Sequence, residues 1–126
     1  MCAVEIYISV GSNIAGEAER RVEDALRFLS DSFDDAAASE VYRTAPLSGV
    51  GEMYANAVFR ACTDIPAEEI TAMLKKYERD CGRIKGDKQH VVIDLDLVVY
   101  GAEVLRPKDA SADFFLRGYN QLLNRF

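Results

Sequence analysis

The chain has 126 residues, 49% of them apolar and 29% charged, a balance ordinary for a folded domain and far from the low-hydrophobicity signature of disorder. Its formal net charge of −6 argues against a general nucleic-acid binder, which needs clustered lysine and arginine to neutralise phosphates. The N-terminus lacks a basic lead, and no apolar run approaches the roughly 18 residues of a membrane span, so a cytoplasmic protein is expected.

Residues 3 to 10, Ala-Val-Glu-Ile-Tyr-Ile-Ser-Val, are β-branched and aromatic and stop at Gly11-Ser12-Asn13, which reads as a strand followed by a turn. From Gly16 to Leu29 the apolar positions Ala18, Val22, Ala25, Leu26 and Leu29 recur at three and four residues, the stripe of an amphipathic helix. Val41-Tyr42 within residues 38 to 43, and Tyr54, Val58 and Phe59 within 53 to 63, predict two strands joined by a Gly-containing loop. Asp64-Ile65-Pro66 opens a second helix, with Asp64 the expected N-cap, and Gly82 ends it. A polar, basic loop from Arg83 to Gln89 precedes a strand over Val91 to Tyr100, and the tail adds an edge segment and a short helix from about Ser111.

The order β-α-β-β-α-β is that of an α+β, ferredoxin-like split βαβ sandwich, in which two helices cover one face of an antiparallel sheet. One domain over residues 1–126 is expected. Cys2, Cys62 and Cys81 are odd in number, widely spaced and without a CxxC pair, so neither a disulfide framework nor a zinc site is expected, and a reducing compartment fits.

Asp94 and Asp96 are the most informative residues. Side chains alternate along a strand, so these two share a face while Ile93, Leu95 and Leu97 point to the other. A cation would relieve the repulsion, and hard oxygen donors without thiolate suit Mg²⁺, which takes one or two carboxylates and completes its shell with water and phosphates. The bland alternative is a half-exposed strand with an acidic polar face. Arg83, Lys85 and Lys88 could neutralise phosphate oxygens beside such a metal, or simply form a solvated loop after a helix end. Gly11-Ser12-Asn13 fits an ordinary turn as well as a substrate loop, and no P-loop is present. Tyr54 and Asn56 share a face and would suit a flat heterocycle, although a core tyrosine accounts for Tyr54 equally simply. His90 and Cys81 suggest no catalytic dyad.

As an ordered set, Gly11-Ser12-Asn13, Tyr42-Arg43-Thr44-Ala45-Pro46-Leu47, Tyr54-Ala55-Asn56-Ala57-Val58, Glu78 to Arg83 and Ile93-Asp94-Leu95-Asp96-Leu97 resemble the 6-hydroxymethyl-7,8-dihydropterin pyrophosphokinases. These folate-pathway enzymes transfer diphosphate from ATP to a pterin alcohol and release AMP. The resemblance implies that Asp94 and Asp96 ligate two Mg²⁺ ions bridging the ATP phosphates. Arg83, Lys85 and Lys88 become the catalytic cations, and Glu78, Arg83, Leu97 and Arg117 contact nucleotide. Thr44, Leu47, Tyr54 and Asn56 line the pterin pocket, and Arg117-Gly118-Tyr119 makes Tyr119 a second aromatic plate opposite Tyr54. It implies small-molecule partners only: ATP and a reduced pterin, with no nucleic acid, membrane or obligate protein partner.

The chain departs from the family pattern in having no tryptophan and a shorter catalytic loop. Val91 stands where the family has an arginine, Ser111-Ala112 where it has a His-Tyr pair, and Lys75 where glutamine is frequent. A family member that binds pterin or nucleotide without catalysis, or a plain interaction module, remains an alternative reading of the residues.

Overall fold

A computed structural model describes residues 2–46, 48–49, 51–87 and 89–124. In chain order the elements are β1 (Val4–Ser12), α1 (Ala18–Ser32), β2 (Asp34–Ala38), β3 (Tyr42–Thr44), β4 (Tyr54–Thr63), α2 (Ala67–Asp80), β5 (Asp94–Tyr100), β6 (Glu103–Val104), α3 (Pro107–Ala110) and α4 (Asp113–Leu123). All strand pairs are antiparallel, in the order β2-β4-β1-β5-β6, with β3 also on β4. The expected α+β sandwich is therefore present.

Several boundaries move for local reasons. β1 runs through Ser12, because Gly11 and Ser12 still pair with Asn56 and Ala55 of β4. β2 was not expected at all: Asp-Asp-Ala-Ala-Ala carries almost no strand propensity, and pairing with β4 alone makes it a strand. α2 begins without a side-chain cap, Pro66 occupying the cap position in place of Asp64; upstream, Thr63 Oγ1 accepts the Ile65 N–H at 3.0 Å. Regular pairing in β5 starts at Asp94 rather than Val91, because the backbone of Val91 is taken by Asn13, as described below.

β1 and β4 sit at the centre of the sheet and are buried on both faces, which explains their nearly continuous apolar sequence. On one face Ile6, Ile8, Val10, Ala57, Phe59, Leu95 and Leu97 meet Val22, Ala25 and Leu29 of α1 and Ile70 and Leu74 of α2. The second face divides into two halves. Over one half α4 lays Phe115 and Leu122 on Tyr7, Val58 and Val98; the other half is open. α4 is fixed there by Tyr42, whose hydroxyl donates to the Phe114 carbonyl and accepts the Gly118 N–H at 3.1 Å. Burial pushes the Tyr42 phenol up to about 12, so it keeps the donated proton at any ordinary pH.

The cysteine expectation is corrected: Cys2 and Cys62 form a disulfide, with Cα atoms 5.3 Å apart, leaving Cys81 free. Register brings the start of β1 to the end of β4, with Glu5 opposite Cys62, and a bend at Ala3 precedes the strand; a separation of 60 residues hides that encounter in the sequence. Among the described residues no helix is long and apolar enough to cross a membrane.

The seating of α4 depends on Gly118. A Cβ there would meet Val58 Cγ2 at 2.5 Å and Ser39 Oγ at 2.9 Å, so Gly118→Ala is expected to cost about 1–3 kcal/mol, measured by urea unfolding. Wild-type stability in that variant would mean that α4 is not seated on Val58.

Candidate functional site

The open half of the second sheet face is the floor of a cleft of about 1020 Å³. Strand register builds it. Asn56 of β4, Gly11 of β1 and Asp94 of β5 form one row across three strands, and Val58, Ser9 and Asp96 form the next. Gly11 between Asn56 and Asp94 keeps the floor flat, since a Cβ there would come to 3.0 Å from Asn56 Oδ1. Thr44, Pro46, Tyr54, Gln89, His90, Arg106, Asp109 and Phe114 complete much of the wall. Asn56 donates through Nδ2 to Thr44 Oγ1 at 2.5 Å, which leaves its Oδ1 as the acceptor beside Gly11.

The Gly11-Ser12-Asn13 segment ties the strand to the basic loop. Asn13 Nδ2 donates to the Gln89 carbonyl at 2.8 Å, Asn13 Oδ1 accepts the Val91 N–H at 2.7 Å, and the Asn13 N–H bonds the Val91 carbonyl at 3.0 Å. Ser12 Oγ adds a contact to the same carbonyl at 3.3 Å. Val91 is buried, and both of its backbone polar groups are satisfied, the N–H by the Asn13 side chain and the carbonyl by the Asn13 N–H.

Asp94 and Asp96 do share the cleft face, while Ile93, Leu95 and Leu97 enter the core opposite. Arg83 Nη1 donates to Asp94 Oδ1 at 2.9 Å and to the Ile93 carbonyl at 3.1 Å. Lys75 Nζ and Arg106 Nη1 approach Asp96 Oδ1 at 3.4 and 3.7 Å. Glu78 is buried beneath this group, accepting the Leu95 N–H at 2.7 Å and lying 3.1 Å from Lys75 and 3.5 Å from Arg83.

Burial and the neighbouring Asp94 charge push Asp96 up to about 6, against the pull of Lys75 and Arg106. Burial acts in the same direction on Asp94, but the bond and charge of Arg83, with a hydrogen bond from Asp96, hold it below the ordinary carboxylate value. The two carboxyls thus behave as a pair sharing a proton. Burial, with Asp94 adding to it, also raises Tyr54, so its ring presents a neutral phenol to the cleft.

The remaining expected residues are distributed unevenly. Thr44, Tyr54 and Asn56 line the cleft together. Lys85 is exposed on the loop, and Leu47 and Lys88 lie outside the described residues. Arg117 is turned to another task, its guanidinium lying 4.5 Å over the Tyr42 ring and donating to the Arg43 carbonyl at 3.1 Å. Tyr119 packs edge-on against Tyr7 at 4.8 Å and stacks with Phe115 at 5.5 Å, away from the residues that line the cleft. The aromatic wall that α4 does supply is Phe114. Sequence reasoning missed Arg106, which lies between β6 and α3, and Phe114, in the first turn of α4; the only available signal was their place in the tail.

A second, smaller groove of about 160 Å³ runs between α2 and the β5 edge, lined by Thr71, Leu74, Leu95, Leu97 and Leu105, with Lys75, Asp96 and Arg106 also on its wall. Asp96 and Arg106 line both hollows, so the two meet at that pair.

A family model described as 7,8-dihydro-6-hydroxymethylpterin-pyrophosphokinase (HPPK) matches residues 7–124. The chain belongs to this family. Among curated relatives it is 32% identical over 100 residues to a mitochondrial folate synthesis bifunctional protein of Pisum sativum, covering 77% of this chain and 19% of the relative. It is 33% identical over 100 residues to a protein of the same description from Arabidopsis thaliana, covering 77% and 18%. The folic acid synthesis protein fol1 of Pneumocystis carinii is 31% identical over 103 residues, covering 79% and 14%. The chain spans about a fifth or less of the length of these relatives. Family membership accounts for the ordered Gly-Ser-Asn, Tyr-Ala-Asn and Asp-Leu-Asp segments that converge on one cleft.

No set of three or more His, Cys, Asp or Glu among the described residues forms a closed metal cage. Asp94 and Asp96, side by side on one face, could instead supply two carboxylates of a partial ligand set, the kind Mg²⁺ completes with water and phosphate oxygens. The pair also sets a pH signature. Asp96 is raised from 3.8 to about 6, so its contribution to stability is full below about pH 4 and is lost as pH rises through about 6. In metal-free protein Asp96→Asn removes that loss. The variant is expected to be more stable than wild type by on the order of 1–3 kcal/mol at pH 7 to 8, with the difference shrinking toward pH 4. Urea unfolding across that range measures it, and a variant less stable at pH 8 would disprove the shared-proton pair.

Proposed function

We propose that this chain transfers diphosphate from ATP to the hydroxymethyl group of 6-hydroxymethyl-7,8-dihydropterin and releases AMP, a step of folate biosynthesis. The observation that carries the reading is one cleft holding both halves of the chemistry: a flat floor at Gly11 with Asn56, Thr44, Tyr54 and Phe114 around it, and the Asp94–Asp96 pair at its side.

The pterin ring lies between Tyr54 and Phe114, two aromatic side chains suited to a flat heterocycle. Asn56 Oδ1, oriented by the bond from its Nδ2 to Thr44, accepts from the ring's amino edge. Phe114 takes the place that the Arg-Gly-Tyr motif assigned to Tyr119. The adenine end of the nucleotide fits the apolar groove of Leu74, Leu95, Leu97 and Leu105, which puts Leu97 on the nucleotide side from the core face of β5. Glu78 serves the nucleotide indirectly by holding Lys75 and Arg83.

The bond that forms joins the pterin hydroxymethyl oxygen to the β-phosphorus. The bond that breaks runs from that phosphorus to the oxygen bridging it to the α-phosphorus, and AMP departs with the electron pair. The hydroxyl proton passes to solvent or phosphate. No side-chain nucleophile is required, so positioning and charge stabilisation supply the rate. Asp94 and Asp96 would hold Mg²⁺, whose chemistry here is to neutralise the phosphates and polarise the transferred phosphorus. Arg83, fixed on Asp94 and the Ile93 carbonyl, balances charge growing on the bridging oxygen. Lys85 joins it from the loop that Asn13 anchors at Gln89 and Val91.

Incubation with the dihydropterin alcohol, ATP and Mg²⁺ is expected to yield AMP and pterin diphosphate in equal amounts, followed by chromatography. Asp94→Ala and Asp96→Ala should lower the rate by on the order of 10²-fold or more. Absence of AMP with pterin still bound would make the chain a binding member of the family. The aromatic assignment is separable: Phe114→Ala should weaken pterin binding on the order of tenfold, read by fluorescence titration, while Tyr119→Ala lowers stability and leaves that affinity near wild type. The opposite ranking would return the plate to Tyr119.

A further inference from the structure

The sequence suggests no partner for His90, the sole histidine of the chain; the fold supplies one. Asp87 Oδ1 accepts the backbone N–H groups of Gln89 and His90, each at 3.0 Å, and Asp87 Oδ2 lies 3.1 Å from His90 Nδ1. The two backbone bonds, that of His90 first, hold the Asp87 carboxyl below its ordinary value, so it is ionised and can only accept. The proton of the neutral ring is therefore on Nδ1, and Nε2 carries the lone pair. Among the described residues nothing else bonds the ring.

Asn13 Nδ2 bonds the Gln89 carbonyl and Asn13 Oδ1 the Val91 N–H, so the residues before and after His90 are clamped to the end of β1. Gly11 pairs with Asp94, and the clamp carries the same two chains past the floor, which puts Asn13, Gln89 and His90 on the cleft wall. The His90 side chain is 73% exposed, open to both solvent and ligand. Other acid–base groups facing the cleft are engaged. Asp94 and Asp96 form the proposed metal pair, burial keeps the Tyr54 phenol neutral, and Arg106 bonds Asp109. Glu52 also lines the cleft, and no described residue orients it. Carboxyls thus outnumber the cations on the described wall, Glu52, Asp94, Asp96 and Asp109 against Arg106. That balance disfavours an alkoxide there and favours an imidazolium.

We propose that His90 is the catalytic base of this chain, its Nε2 taking the proton of the pterin hydroxymethyl group as that oxygen bonds the β-phosphorus. Asp87 is the positioning residue, fixing the tautomer and steadying the imidazolium that forms. The imidazolium releases the proton to water from its exposed side, so solvent receives it by way of His90, and AMP leaves with the electron pair of the broken bond. The assignment rests on the diphosphate-transfer reading of the cleft.

The test is single-turnover formation of AMP and pterin diphosphate at saturating Mg²⁺-ATP, with pterin affinity read by fluorescence, for wild type, His90→Ala and Asp87→Asn. His90→Ala is expected to lower the rate by on the order of 10²-fold, the loss of one general base, and to keep pterin affinity near wild type. Retained affinity also shows that the variant is folded. Added imidazole should restore part of the His90→Ala rate. Asp87→Asn should show a smaller loss of rate that imidazole does not restore. A wild-type rate in His90→Ala, a loss that imidazole leaves unchanged, or a matching loss of pterin affinity overturns the assignment, while turnover by wild type keeps the transfer reading intact. Wild type that forms no AMP removes the transfer reading itself, and this assignment with it.

Discussion

Two carboxylates on the same face of one strand, mostly withdrawn from water, are the constraint around which the rest of this molecule is arranged. Neither Asp94 nor Asp96 can be fully charged there without help, since burial penalises each charge and each penalises the other. The surroundings respond in layers. Arg83 and Lys75 come from α2 and the loop after it, Arg106 comes from the turn before α3, and Glu78 lies below to hold the first two in place. The three cations match the carboxylates Asp94, Asp96 and Glu78 in number, yet burial and the Asp94 charge still hold Asp96 above the ordinary carboxylate value.

The sheet serves that arrangement by holding two faces in different states. One face is sealed by α1 and α2 over Ile8, Val10, Phe59 and Leu95. The other is only half covered, because α4 is seated against Val58 through Gly118 and stops short of the row containing Asn56, Gly11 and Asp94. Tyr42 ties α4 to β3 through both a carbonyl and an N–H. The helix that completes the second core thereby also supplies Phe114 to the rim of the cleft.

Much of the site was legible from local pattern. The face shared by Asp94 and Asp96, the face shared by Tyr54 and Asn56, and the core direction of Leu95 and Leu97 follow from the two-residue period of a strand, which is enforced by covalent geometry. The ordered short motifs carried the family because they are the segments that meet at one end of the sheet. Less legible was everything that depended on how the tail lies. Arg117 and Tyr119 matched a motif by letters, yet a helix places side chains by rotation about its axis, and packing of Phe115 and Leu122 rotates Tyr119 toward Tyr7 and brings Phe114 to the cleft.

The strand and helix periods and the acidic pair on β5 were determined by the sequence alone, because each depends on neighbours within one or two turns of chain. The β2 strand, the Cys2–Cys62 bond, the meeting of Lys75 with Arg106 on one oxygen and the placement of Phe114 at the cleft with Tyr119 against Tyr7 were decided by tertiary structure. Each joins residues far apart in sequence, and their encounter depends on strand register and helix seating, which the whole core selects by the apolar surface it buries.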